Sequence, residues 1–495
     1  MKTLDMLRPR KGWNLGWNPG RRTGWNMGAG LRLLAIPAAL CLLHGCAVGP
    51  VYVKPDVVAP PAYKEAGPRW TPAAPADAQP RGPWWTMFGD PVLDALQARI
   101  DADNHDLRAA AARFAEARAQ IQGAQAAGAP QLGVGATATR SHVSANVLGR
   151  SLAGKTSNDF SLPLTLSWEP DLWGRIGAGV TAAQADAQAA GADMETVRLA
   201  LHAELAIDYF QLRALDAEKA LLSRSIEADE SDVRLTQDRL RIGIASALDL
   251  EQAQAQLEAA RAQRIDLEVA RSAAEHALAT LTGRAASEFS LPPAPIPASA
   301  GTAAAAAAVN PVPAIALLPA IPPGLPSELL QRRPDVAMAE RKVAAANARI
   351  GVAKAAFYPS LVLGGSGGLE SASLAQLVAL PSHFWSLGPT LAMALFDGGA
   401  RAARSAQAQA SYDGAVEAYR QRTLVAFQEV EDNLAALRVL AQEATVQARA
   451  TAAASRSLSL TMDRYRIGTV SYLEVTLAQT AALSAQRQAL DIQRR

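Results

Sequence analysis

The chain has 495 residues and a formal net charge of +2 at pH 7, with its basic residues dispersed along the sequence. This near-neutral balance argues against a nucleic-acid partner or a strongly acidic substrate. Hydrophobic residues make up 49% of the chain but aromatic residues only 5%, a composition typical of long, closely packed helices rich in alanine. The two cysteines, Cys41 and Cys46, precede the body of the chain, so the body carries no disulfide, cysteine metal site or thiol nucleophile.

Residues 1–45 have the features of a signal peptide. A basic stretch precedes the apolar run at residues 31–46, which is too short to remain in a bilayer as a spanning helix. The run ends in LHGC, which resembles the lipobox of bacterial lipoproteins although His44 stands where a small residue is usual, so we expect a covalent lipid on Cys46. The alternative is an ordinary signal peptide with an incidental cysteine. The part before Met27 is either an extended leader or a start assigned too early.

Residues 46–82 are rich in Pro and Ala and predict a lipidated, extended tether. A first structural repeat follows over residues 83–290. It begins with Asp90 as a helix N-cap and Pro91 at the first helical position, and one helix is predicted to about Ala127.

Two segments with period two then predict strands, joined by a polar loop at residues 141–159. Their alternating apolar residues are Leu132, Val134, Ala136 and Ala138, then Leu162, Leu164, Leu166 and Trp168. A long helix is predicted over residues 174–240 and another over about 246–281. In the first of these the apolar residues have heptad spacing, which predicts coiled-coil packing. They are Leu201, Leu205, Leu212, Leu215, Leu222, Ile226 and Val233.

The motif DRLRIGIASALDL at residues 238–250 returns as DRYRIGTVSYLEV at residues 463–475, an offset of 225 residues (463 − 238). Identical pairs include Asp238/Asp463, Arg239/Arg464, Arg241/Arg466, Gly243/Gly468 and Ser246/Ser471. The strand pattern also returns, so residues 327–495 are predicted to be a second structural repeat, separated from the first by a Pro/Ala-rich connector at residues 291–326. The alignment places Arg495 opposite Ala270, which makes the second repeat C-terminally short.

Each long helical segment would be on the order of 100 Å long. The four strands of one chain, two from each half, cannot close a barrel alone. Open strand edges in lipid leave backbone groups unpaired, so the chain is predicted to oligomerise. The fold class expected is mainly α with a transmembrane β-barrel. The alternative is a soluble β-hairpin that caps a coiled coil.

Several motifs, in this order, resemble those of the TolC-like outer-membrane factors. They are CAVGP from Cys46, WW at residues 84–85 with FGDP at 88–91, LLQRRPDV at 329–336 and AAFYP at 355–359. The resemblance covers essentially everything from Cys46 onward and points to the lipoprotein (NodT-type) branch that serves resistance-nodulation-division (RND) efflux pumps.

This resemblance implies a homotrimer in the outer membrane of a Gram-negative cell, with a twelve-stranded barrel on a long periplasmic α-helical barrel. It implies a periplasmic membrane-fusion adaptor and an inner-membrane RND-type pump as partners. The implied function is a passive conduit for drugs or other small molecules, with no catalysis, no metal and no cofactor beyond the lipid on Cys46.

The repeated motifs lie where one long helix ends and the next begins, and Gly243 and Gly468 suit tight turns there. The resemblance implies that these turns form the closed periplasmic aperture and the adaptor-docking surface. The residues carried over by position are Arg241, Gly243, Asp249, Tyr465, Arg466, Gly468 and Glu474. For the two acidic residues, charges that favour a helix start are an equally simple interpretation.

Two other functions remain open at this stage. One is an outer-membrane conduit of a type I protein secretion system, which the lipoprotein head and the RRPDV motif disfavour. The other is a non-conducting exported trimeric coiled-coil scaffold. A scaffold has no need of Gly, Ser and Thr on alternate faces of its strands, whereas a water-filled barrel has.

Overall fold

The structure is a computed structural model that describes residues 48–57, 64, 82–146, 151–293 and 333–495. Its longest elements are two helices of 67 residues, α3 (Arg175–Arg241) and α6 (Ala400–Arg466), each about 100 Å long. The other helices are α1 (Pro91–Asp103), α2 (His105–Ala126), α4 (Ala247–Leu281), α5 (Pro334–Ala355) and α7 (Tyr472–Arg494). The predicted signal peptide, Cys46, and most of the tether and connector lie outside the described residues, and the bounds of the two repeats stay predictions.

The two long helices begin in the same way. Gly174 and Gly399 precede them with φ of 72° and 91°, in the left-handed region that favours glycine. An aspartate upstream of each glycine then accepts hydrogen bonds from free amides of the first turn. Asp171 accepts from Ile176 N at 3.0 Å, and Asp397 accepts from Arg401 N at 3.0 Å.

The predicted N-cap is confirmed, but the single helix after it is wrong. Asp90 Oδ1 accepts hydrogen bonds from Val92 N at 2.9 Å and Leu93 N at 3.3 Å. The helix then breaks at Asn104, whose backbone is extended and whose side chain accepts from Leu107 N. Asn104 Nδ2 also donates to the carbonyl of Leu281 at 2.9 Å. Asparagine competes for backbone groups in this way, so it ends one helix and caps the next.

The strands form one antiparallel sheet in the order β1-β3-β4-β5, and β2 also pairs with β3. They are β1 (Gln131–Val134), β2 (Thr137–His142), β3 (Thr156–Trp168), β4 (Ser360–Ser371) and β5 (His383–Ala392). The first predicted strand is therefore divided into β1 and β2, which pair one after the other with β3. The break lies opposite Pro163, whose carbonyl accepts from Gly135 N at 2.9 Å but whose nitrogen has no hydrogen to return to that ladder.

The polar loop between these strands is shorter than predicted, because pairing extends to His142 on one side and begins at Thr156 on the other.

The two faces of the sheet differ in polarity. Residues directly opposite each other share a face, and one face carries the row Leu132, Leu166, Gly365 and Leu387 and the row Val134, Leu164, Gly367 and Trp385. The intervening row on the other face is Gly133, Thr165, Ser366 and Ser386. The large apolar side chains are exposed in the single chain, with Trp385 at 77% and Leu387 at 75% of full exposure.

The helical core follows the predicted heptad seam of α3. The seam residues from Leu205 to Val233 are buried and Leu201 is half-buried. The first part of the seam packs against α1 and the end of α4, around Leu93, Ile100 and Leu278. The last part packs against α4 and α7 close to the turns. None of the helices in the described part of the chain combines the length and apolarity needed to cross a membrane.

Candidate functional site

The repeated motif forms two turns with the same backbone geometry. In the first, between α3 and α4, Ile244 N donates to Arg239 O at 2.8 Å and Gly243 has φ of 79°. In the second, between α6 and α7, Thr469 N donates to Arg464 O at 3.0 Å and Gly468 has φ of 81°. Each is a Schellman ending, which needs a residue free to adopt the left-handed conformation. This explains why the motif carries glycine in both copies.

The two turns contact each other, and Arg239 makes the main connection. Its Nη1 donates to the carbonyls of Tyr465 and Arg466 at 2.6 and 2.8 Å. Its guanidinium carbon lies 4.7 Å from the centre of the Tyr465 ring. Arg239 thus binds the carbonyl end of α6 with two charge-assisted hydrogen bonds and a cation–π contact. Gly468 permits this approach, because a Cβ there would lie 3.3 Å from Arg239 Nη2.

Arg239 is buried at 9% exposure, whereas its repeat partner Arg464 is exposed. Sequence reasoning paired these two residues but selected neither. The signal that distinguishes them is the residue that follows Arg464, because Tyr465 supplies the ring while Leu240 occupies the equivalent position in the first copy. Only the second copy can therefore receive an arginine on its aromatic face.

Tyr465 lies inside this contact and is 2% exposed. Its hydroxyl is 3.0 Å from Thr236 Oγ1 on α3, and its ring packs edge-on against Tyr472 with 5.4 Å between centroids. Burial raises the pKa of Tyr465, so it stays a neutral hydrogen-bonding group. Tyr465 therefore links α3, α6 and α7 at one point.

Asp249 bridges the turns from the other side. It completes a capping box with Ser246, whose amide and hydroxyl donate to Oδ2 at 2.9 and 2.8 Å. Its Oδ1 accepts from the backbone amide of Tyr472 in the second copy at 3.2 Å. Burial alone would raise the pKa of Asp249, but the hydrogen bonds from Ser246 and Tyr472 outweigh it and lower that pKa. Asp249 is therefore both a helix-start charge and a contact between repeats.

The structure does not bring the other candidates into this contact as side chains. Glu474 is exposed in the first turn of α7. Arg241 pairs with Asp238 at 2.9 Å and Arg466 with Asp463 at 3.3 Å, each within its own helix end and well exposed. Exposed pairs of this kind contribute about 0–1 kcal/mol.

Potential metal-ligating side chains do not cluster at the turns. Among the described residues, no group of three or more His, Cys, Asp or Glu side chains gathers closely enough to hold a metal ion. What the site offers instead is a set of hydrogen bonds between two helix turns, centred on Arg239, Tyr465 and Asp249, surrounded by exposed side chains. Such a set can hold two helix pairs together or release them.

Comparisons with known proteins agree with this architecture. A family model described as outer membrane efflux protein matches residues 96–284 and 325–495. The toluene efflux pump outer membrane protein TtgC of Pseudomonas putida is 30% identical over 457 residues, which cover 92% of this chain and 90% of TtgC. The outer membrane protein OprJ of Pseudomonas aeruginosa is 32% identical over 447 residues, which cover 89% of this chain and 88% of OprJ.

Among solved structures, the outer-membrane channel OprN superposes with a TM-score of 0.79 at 30% identity, covering 91% of this chain and 97% of the OprN chain. These matches span both copies of the motif and the sheet. They confirm the resemblance seen in the motifs, and the chain belongs to the outer membrane efflux protein family.

Proposed function

We propose that this protein is the passive outer-membrane channel of a tripartite efflux system, which exports drugs or other small molecules delivered by an inner-membrane pump through a periplasmic adaptor. The observation that carries the proposal is the combination found at the two ends of the long helices. One end is a sheet with an apolar exposed face and a polar face, and the other end is a closed contact between two turns.

The sheet supports a trimeric barrel. Its outer positions are held by β1 and β2 on one side and by β5 on the other, so these edges have no partner within the described chain. Unpaired backbone groups in lipid cost several kcal/mol each, and pairing with neighbouring copies removes that cost. Four strand positions from each of three copies give about twelve, which is within the range of membrane barrels with a lumen.

The faces of the sheet fit the same arrangement. The rows with Leu387 and Trp385 would face the lipid, and the row with Thr165, Ser366 and Ser386 would line the water-filled interior. A scaffold without a pore would not need this separation of polar and apolar residues.

The turns support a periplasmic gate with an adaptor-docking surface. Arg239, Tyr465 and Asp249 would hold α6 and α7 against α3 and α4 and so keep the aperture closed. Around them the turns expose large apolar side chains, which is typical of a protein interface. These are Ile242, Ile244, Leu248, Ile467, Leu473 and Leu477. Arg241, Arg466 and Glu474 are exposed beside them, where they would meet the adaptor or neighbouring copies.

The proposal is tested with purified, detergent-extracted protein in a planar bilayer, with chemical cross-linking of the same sample. We expect cross-linked trimers and a small conductance that favours cations, because the carboxylates near the aperture attract positive ions. If neither the wild-type trimers nor trimers with substitutions at the turns conduct ions, the result would contradict the proposed channel function and favour a scaffold.

A covalent lipid on Cys46 is a separate proposal, supported by the LHGC sequence alone. We expect cells that produce the protein to incorporate radiolabelled palmitate into it, and Cys46→Ala to lose the label. Cys41→Ala is the matched control, because Cys41 lies within the predicted signal peptide and should not affect labelling. Label that persists in Cys46→Ala would refute lipidation at this position.

A further inference from the structure

Two carboxylates are buried side by side next to the turns. Asp229 and Asp232 lie one helical turn apart on α3 and are 1% and 7% exposed, beneath the first turns of α7. From α7, Gln479 Nε2 donates to Asp232 Oδ2 at 2.8 Å. Tyr472 of α7 is fully buried in the same region and packs within the apolar cluster of the turns.

The hydrogen bonds of this group are incomplete. Asp229 Oδ2, Gln479 Oε1 and Tyr472 Oη are buried and have no hydrogen-bond partner within the described residues. Asp229 Oδ2, when ionised, and Gln479 Oε1 can only accept hydrogen bonds, whereas the Tyr472 hydroxyl can donate one hydrogen. At least one of the two acceptors therefore lacks a donor hydrogen. One proton on the carboxylate pair supplies it, since a protonated carboxyl donates as well as accepts.

The electrostatic surroundings also favour a bound proton. Burial, followed by the charge of Asp232, raises the pKa of Asp229 to about 7. Burial raises the pKa of Asp232 to about 6, although the hydrogen bond from Gln479 and the charge of Arg466 act in the opposite direction. Two buried carboxylates at this spacing cannot both be ionised without a large cost.

The groups on the neighbouring helices that face the pair do not remove its preference for a bound proton. The helix α6 contributes Arg466, whose charge acts on Asp232, and the buried Tyr465. The helix α7 contributes the neutral Tyr472 and Gln479, and burial raises the pKa of Tyr472. The helix α4 contributes apolar side chains and, beside Asp229, an ion pair of Arg261 with Glu230 of α3 at 2.7 Å. The apolar side chains are Ala253, Leu257 and Ala260.

We propose that the Asp229/Asp232 pair binds one proton and that this proton holds α7 against α3 next to the gate. The ligand is the proton itself, and the site is a pH-dependent latch. This role in gating rests on the proposed channel function, whereas binding of the proton does not. When the proton leaves, two acceptor-only carboxylates remain beneath α7, and the packing of α7 on α3 weakens.

The direction of the pH effect follows from linkage. The carboxylate pair binds the proton more tightly when α7 is packed on α3 than when the two helices are apart. The proton therefore stabilises the packed state fully below the ordinary pKa of aspartate, about 4. It is lost as pH rises through about 6 to 7, the values for Asp232 and Asp229. We therefore expect the channel to be held closed at about pH 5 and to open more readily at about pH 8.

The test measures protonation, packing and conduction on the full-length protein. Infrared difference spectra between about pH 5 and about pH 8 should show a carboxylic acid band that titrates near neutrality. The double variant Asp229→Asn/Asp232→Asn should remove that band, because either carboxyl of the pair can hold the proton, and the matched control Glu227→Gln, an exposed carboxylate one half-turn earlier on α3, should retain it. A spectrum without such a band, or one in which the double variant retains it, would overturn the proposal.

A second measurement needs only the wild type. Hydrogen exchange of the α7 amides, corrected for the intrinsic effect of pH, should be about tenfold faster at about pH 8 than at about pH 5. Equal corrected rates at both values would overturn the proposal even if the Asn variant failed to fold.

Conductance separates the two proposals. The open probability of the wild type should rise several-fold between the same pH values. In the double variant Asp229→Asn/Asp232→Asn it should be low and independent of pH. Conduction without a titrating band would overturn the proton site and leave the channel function standing. A titrating band in a protein that never conducts would leave the proton site standing and overturn the proposed function.

Discussion

Arg239→Ala is expected to raise the open probability of the channel by about ten- to a hundredfold. The substitution removes the hydrogen bonds to the carbonyls of Tyr465 and Arg466 and the contact with the Tyr465 ring. Hydrogen bonds with a charged partner contribute about 1.5–3 kcal/mol, and about 1.4 kcal/mol corresponds to a factor of ten in an equilibrium. The measurement is single-channel recording in a planar bilayer, supported by susceptibility of whole cells to large antibiotics.

The repeat supplies a matched control for this prediction. Arg464→Ala changes the same residue type at the equivalent position of the second copy, where the side chain is exposed, so it should leave the open probability unchanged. Arg239→Lys should give an intermediate value, because an ammonium group lacks the planar fork and stacks less well on an aromatic ring. Intact Arg239→Ala trimers with wild-type conductance would show that this contact does not hold the gate.

Asp249→Ala and Glu474→Ala are expected to differ strongly, although their positions in the repeat are equivalent. Asp249→Ala removes the carboxylate that accepts hydrogen bonds from Ser246 and from the Tyr472 amide. We therefore expect the contact between the turns to lose about 1–2 kcal/mol of stability and the channel to open more often. Glu474 is exposed at a helix start, where a charge contributes about 0.3–1 kcal/mol. We expect Glu474→Ala to reduce cation preference and leave the open probability near that of the wild type.

Hydrogen exchange at the amides of residues 246–249 and 472 reports the cap directly, and bilayer recording reports opening. Exchange rates unchanged by Asp249→Ala would contradict the structural role given to this residue. The pH dependence provides a further check. Because the pKa of Asp249 is lowered, its contribution is present above the ordinary aspartate pKa and is lost in stronger acid. This window lies below the one expected for the Asp229/Asp232 latch.

Much of the architecture is predictable because it depends on local chemistry. Heptad spacing determines the buried seam of α3, and glycine at the repeated turn determines a left-handed backbone in both copies. Alternation along β3 determines which residues share a face. The motifs around Asp90 and in residues 329–336 and 355–359 are sufficient to indicate the family, and the comparisons confirm it.

Two secondary-structure predictions from the sequence are wrong, each for a local reason. The single predicted helix at residues 91–127 is broken because Asn104 gains a cap and a long-range bond to Leu281 O that helix periodicity does not reveal. The first strand is divided because Pro163 lies on the neighbouring strand. A proline interrupts the ladder of its partner as well as its own, and the partner is known only once the strands are paired.

The repeat, the long helices, the turns and the family can all be predicted from the amino-acid sequence, since each depends on spacing along the chain. Which copy of each repeated residue makes the contact depends on how the helices pack. Arg239 is buried and Arg464 is exposed because the turns meet asymmetrically, with Tyr465 on one side and Asp249 on the other. Likewise, Asp229 and Asp232 become a proton site only where α7 covers them. Burial and partner choice are properties of the packed chain, so identical residues in a repeat can acquire different functions.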